Sequence, residues 1–179
     1  MLIPRQTVPS LKVDLVGGGT FDLSQEKPGF ATVISFYRGL HCPICATYMR
    51  EMEQMADEYA QRGVNLVSIS SDNEERATKM AEKTHASKIR VGYGLSLEKA
   101  KEWGLYISAG RGKTSIGIEE PELFSEPGLF FVRPDGTLYF GSVQTMPFAR
   151  PDFKTLLGAL DFCIKNDYPA RGEYTGPVA

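Results

Sequence analysis

Cysteine is scarce in this chain: three residues among 179, too few for a disulfide scaffold. Histidine is scarcer still, with two. A structural zinc would therefore have to recruit Cys163, His41 and His85, and His41, adjacent to Cys42, is badly spaced for joint chelation. No metal and no organic cofactor is expected. C-type haem attachment is excluded because Ala46 stands where the motif needs histidine. Neither sign of charge dominates, 20 Lys+Arg against 22 Asp+Glu, which argues against a nucleic-acid surface or a charged tail. No apolar run approaches the roughly 18 residues of a membrane span. Met1–Thr7 lacks the charged-then-apolar order of a secretory signal, so a cytoplasmic location is the default expectation. Gly112-Lys113-Thr114 ends like a phosphate loop, but Ile107 occupies the place of its first glycine, and nucleotide binding is rejected.

What remains is an ordinary globular composition, 42% hydrophobic and 23% charged, of a length that suits one domain. Its core is expected over about residues 7–166, followed by an extended tail, 167–179. Val8–Leu15 and Thr20–Leu23 flank three glycines and read as a hairpin. Thr32–Tyr37 is an apolar strand. Ile44, Tyr48, Met52, Met55, Ala56 and Tyr59 recur at helical spacing and predict one helix over 43–62, ended by Gly63. Val64–Ser70 alternates like a strand, and Ser71–Glu74 offers a capping box for a helix to 84. A short β-α segment (89–92, then 97–103 capped by Ser96) follows. A hairpin over 129–142 turns at Pro134-Asp135-Gly136, and a helix spans 152–166. Residues 105–126 show no period, so they are either a functional loop or an unrecognised element. Alternating strands and helices imply an α/β fold.

Cys42-Pro43-Ile44-Cys45 joins the apolar strand to the first helix. Pro43 suits the first turn, where its missing N–H costs nothing. A thiol at a helix N-terminus faces the positive end of the dipole, which stabilises the thiolate. A second thiol one turn later can close a small disulfide ring. The pair suits dithiol–disulfide exchange or peroxide reduction. In exchange, Cys42, nearer the helix end, attacks and Cys45 resolves. His41 either supports the thiolate as a cation or proton shuttle, or is a solvated loop residue. Cys163 falls in line with Leu156 and Leu160 and reads as core. Trp103 and Met49, Met52 and Met55 read as packing residues.

The run Phe36–Cys45, the N-terminal hairpin and Gly128–Val132 with Asp135-Gly136 together resemble the peroxiredoxin-like branch of the alkyl hydroperoxide reductase/thiol-specific antioxidant family. The resemblance implies a thioredoxin-like fold: a central mixed sheet flanked by helices, with an N-terminal hairpin and a short β-α insertion. The family's Pro, Thr or Ser, and peroxide-attacking Cys fall on Arg38, Cys42 and Cys45. Cys45 thus takes the peroxide-attacking position, and a thiol replaces the hydroxyl. The family's arginine has no counterpart at Glu126-Pro127, so Arg38 is expected to supply a guanidinium to Cys45. The resemblance implies that Pro127 is a cis proline facing the pair; the other reading is a plain Glu-Pro-Gly turn. These departures favour dithiol–disulfide exchange as the main expectation. The alternative is a peroxidase with Cys45 attacking and Cys42 resolving, and a third reading is a redox sensor. Implied partners are a disulfide or hydroperoxide substrate and glutathione or a thiol reductant protein as electron donor, with neither nucleic acid nor membrane.

Overall fold

The computed structural model describes residues 1–179. Strands β1 (Lys12–Leu15) and β2 (Thr20–Asp22) form the expected hairpin. β3 (Ala31–Phe36) is buried at all six positions, the pattern of a strand covered on both faces. Helix α1 (Pro43–Gln54) follows, then α2 (Ala56–Gln61), β4 (Val64–Ile69), α3 (Glu74–Thr84), β5 (Arg90–Tyr93) and α4 (Leu97–Glu102). β6 (Ile107–Ala109), β7 (Leu123–Ser125), β8 (Gly128–Val132), β9 (Leu138–Val143) and α5 (Phe153–Lys165) complete the chain.

Seven strands form one mixed sheet in the order β2-β1-β5-β4-β3-β8-β9. β3 lies at its centre, parallel to β4 and antiparallel to β8. Alternate residues of these strands face opposite sides and seed two core halves. Val33, Leu66 and Phe131 pack with Met49, Met52, Met80, Tyr59 and Phe153 of the helices on one face. Ile34, Phe36 and Phe130 pack with Trp103, Leu95 and Phe21 on the other.

Four expectations gain detail. The helix predicted over 43–62 breaks at Met55, yet Ala56 and Tyr59 beyond the break are still buried, so the period continues where the helix does not. Asn73, not Ser71, caps α3, its side chain accepting the Arg76 N–H at 3.0 Å. β5, the strand of the expected β-α insertion, joins the main sheet between β4 and β1. The aperiodic stretch 105–126 is a β-ribbon: β6 pairs with β7, and a Lys113–Glu119 bridge extends the pairing toward the tip.

Past α5 no regular element occurs, and the tail lies against the N-terminal segment. Arg5 donates to the Ala170 carbonyl at 2.9 Å and pairs with Glu173 at 3.1 Å. No helix is long and apolar enough to cross a membrane.

Candidate active site

The site forms where β3 gives way to α1. The chain leaves Tyr37, turns through Gly39 and enters the helix at Pro43. Gly39 has φ +148°, and a Cβ there would meet the Asp72 carboxylate at 2.9 Å and the His41 ring at 3.0 Å. Asp72 fixes this turn by accepting the Leu40 N–H at 2.7 Å while pairing with Arg76 at 3.1 Å.

Cys42 is the N-cap of α1: its Sγ accepts the Cys45 N–H at 3.2 Å. Both thiols are buried, Cys42 at 1% and Cys45 at 0% exposure. Their surroundings still differ. Cys42 lines a cleft of about 420 Å³ with Arg38, His41, Arg111 and Glu126, and Cys45 does not. The Cys45 thiol donates to Cys42, and this bond outweighs burial and pulls the Cys42 pKa down to about 6. The Cys45 N–H and the charges of Arg150 and Arg38 add to the effect. Burial pushes the Cys45 thiol up, and its bond to Cys42 reinforces this. The pair therefore carries one negative charge in its reduced state, held on Cys42, the sulfur that faces the cleft.

Arg150, from the segment between β9 and α5, reaches Cys45 Sγ at 2.8 Å with one Nη. Its guanidinium also lies 4.9 Å from the Tyr48 ring centroid. The segment is pinned by two tyrosines of the α1–α2 pair: Tyr48 donates to the Pro151 carbonyl at 2.6 Å and Tyr59 to the Phe153 carbonyl at 2.7 Å. Nε and the other Nη of Arg150 are buried without acceptors.

Arg38 does not take that role. It pairs with buried Glu126 at 3.1 Å and lies over Phe124, 4.8 Å from its centroid. Glu126 is held in turn by the Ser108 hydroxyl at 2.7 Å. Arg38 thus touches the ribbon rather than Cys45 and acts on Cys42 through its charge alone. His41 is neither cation nor solvated: it is fully buried against Phe124, 4.7 Å between ring centroids. Burial and the nearby Arg38 charge bring its pKa down to about 4, so the ring is neutral. Pro127 is trans, as is every peptide bond in the chain. The backbone runs extended from β7 into β8, the Glu126 N–H donating to Tyr106 and the Pro127 carbonyl accepting from Gln144. Pro43 sits at the start of α1 as expected. Cys163 is half-buried near Tyr139 rather than in the core. No group of three or more His, Cys, Asp or Glu could hold a metal ion.

The charge on Cys42 has a direct readout. Its thiolate absorbance should titrate with a midpoint near 6, against roughly 8.5 for an ordinary thiol. Alkylation should fall about tenfold per pH unit below that midpoint and level off above it. A single transition near the ordinary value in the folded protein would refute the assignment.

The family model described as the AhpC/TSA family matches residues 4–140. Peroxidoxin BcpB from Mycobacterium tuberculosis superposes with a TM-score of 0.69 at 20% identity, over 90% of this chain and 98% of that one. Mycobacterium bovis AhpC gives 0.73 at 16% identity, over 98% and 99%. A variant of peroxiredoxin 6 from Arenicola marina gives 0.73 at 16%, over 94% and 76%. No curated protein matches the chain in sequence. At such identities the structural likenesses establish a shared fold, and Arg150 lies beyond the matched residues.

Proposed function

The chain belongs to the AhpC/TSA family and is a thiol-dependent redox enzyme, and on that premise we propose that its reaction is reduction of a hydroperoxide at the Cys42–Cys45 pair. The observation that carries this reading is the Arg150 guanidinium, which holds one donor on Cys45 while its other two nitrogens are buried without acceptors. Dithiol exchange has no need of such donors, whereas peroxide and sulfenic oxygens accept hydrogen bonds.

In this reading Cys42 attacks, which reverses the order implied by the family position of Cys45. The Cys42 thiolate attacks the terminal oxygen of ROOH: an S–O bond forms, the O–O bond breaks, and the alkoxide takes up a proton to leave as ROH. The sulfur becomes a sulfenic acid. Cys45, its emerging negative charge met by Arg150, then attacks the Cys42 sulfur, and water departs as the disulfide forms. A thiol reductant restores the dithiol. The low Cys42 pKa and its place on the cleft support the first step, and the enclosed, protonated Cys45 supports the second.

Dithiol–disulfide exchange is the second reading, favoured by the exposed Ile44, Met146 and Phe148 around the pair, an apolar rim suited to a peptide. One experiment separates them. One equivalent of an organic hydroperoxide added to reduced protein should consume two thiols per peroxide. The peptide carrying Cys42 and Cys45 should become lighter by two hydrogens, with Cys163 still free. Thiols untouched by peroxide, in a protein that reduces protein disulfides, would establish exchange instead.

A further inference from the structure

Glu126 is an unusual residue for its place. It follows β7 in the wall of the cysteine cleft and is 3% exposed, yet it carries a carboxylate, a group seldom buried unless it is paired. Its side chain has two partners. The Ser108 hydroxyl donates to Oε1 at 2.7 Å, and Arg38 Nε lies 3.1 Å from Oε2. The backbone is fixed as well: the Glu126 N–H donates to the Tyr106 carbonyl at 2.7 Å, and the next carbonyl, of Pro127, accepts from Gln144 at 3.0 Å. A carboxylate held this firmly dictates where its cation sits.

That cation lines the same cleft as Cys42. The Arg38 guanidinium rests over Phe124, 4.8 Å from the ring centroid, and its other acid, Glu120, is 4.0 Å away. Glu126 is therefore its closest charged contact. The remaining charged or titratable groups around Cys42 are Cys45 of α1, Arg150 from the segment before α5, Arg111 of the ribbon, and His41, which is neutral. Arg150 is engaged with Cys45, and Arg111 is exposed. Arg38 is thus the cation whose approach to Cys42 one buried contact controls.

We propose that Glu126 is a positioning residue: by holding Arg38 against the ribbon it keeps that guanidinium off the Cys42 sulfur, and so sets the balance between dithiol and disulfide. Once released, Arg38 would move toward the thiolate and stabilise the charged, reduced pair. Cys42 would then be a weaker nucleophile and a better leaving group, and the disulfide would be easier to reduce. The proposal rests on Cys42 carrying the charge of the reduced pair, and it is the same for peroxide reduction and for exchange.

The pH dependence of alkylation at Cys42, followed by mass in the reduced full-length protein, tests it. Glu126→Gln keeps an acceptor for Ser108 and removes the charge. Glu126→Asp keeps the charge but falls a methylene short of Arg38. Both should lower the alkylation midpoint by about 0.5 pH unit or more, with a lower plateau rate above it. In a glutathione redox buffer, each should raise the ratio of dithiol to disulfide by about threefold. In an Arg38→Met background, Glu126→Asp should change neither quantity. An unchanged or higher midpoint in the Glu126→Asp protein overturns the proposal. So does an equal fall with and without Arg38, which would make the effect Glu126's own. A parent midpoint at the ordinary thiol value would overturn the charge assignment beneath it, a failure read before either variant is compared.

Discussion

Cys42→Ser protein is expected to lose hydroperoxide turnover by about three orders of magnitude or more, the scale seen when a nucleophile is removed from an enzyme. The same protein should form no sulfenic acid on a single exposure to peroxide. Cys45→Ser protein should behave differently: it should consume one equivalent and stop, with a dimedone-reactive sulfenic acid at Cys42. The asymmetry follows from geometry. Only Cys42 meets the cleft, and its sulfur receives both the Cys45 N–H and the Cys45 thiol. Serine at 42 retains the cap on α1, because its hydroxyl can accept the same N–H, so the loss reports chemistry rather than unfolding. A sulfenic acid trapped at Cys45 in the Cys42→Ser protein would invert the order of attack.

Arg150→Met should slow turnover by about 10²-fold, comparable to deleting one preorganised donor at a developing charge. Methionine keeps apolar bulk beside Tyr48 but removes the charge and every donor. The enclosed Cys45 thiol has no other cation in direct contact, so the step in which it becomes a nucleophile should suffer most. Rapid mixing should show the sulfenic acid accumulating before the disulfide. Arg150→Lys should recover part of the rate by restoring charge without the planar fork. A variant whose two steps slow equally, or not at all, would remove Arg150 from the resolving role.

The two residues just discussed were not equally legible. The cysteine pair announces itself by spacing, by the apolar strand before it and by the helical period after it, and the structure places it at the start of α1 as that pattern requires. Arg150 carries no local signal. It comes from an irregular, proline-flanked segment over a hundred residues away and reaches the site only because Tyr48 and Tyr59 anchor the start of α5. Arg38 misled for the complementary reason: its position beside the cysteines is visible in the sequence, but its partner, Glu126, is set by the ribbon. That ribbon escaped notice because three-residue strands are too short to establish a period. His41 shows the limit of adjacency, since nothing beside it in the chain reveals that Phe124 buries it. The sheet itself was legible because β3 and β8 are largely apolar runs, which suit the centre of a covered sheet, and β4 alternates as a strand does.

The place of β3 between β4 and β8 also sets an order of events during biosynthesis. β4 follows closely, but β8 leaves the ribosome roughly ninety residues later, about 5–18 s at ordinary elongation rates. For that interval the central strand is a sheet edge with unpaired backbone groups, the feature most prone to capture by another chain. Arg150 is synthesised later still. The cysteine pair thus emerges early and lacks its guanidinium until nearly the whole chain exists, so the nascent protein passes through its most aggregation-prone stage before the thiols reach full reactivity.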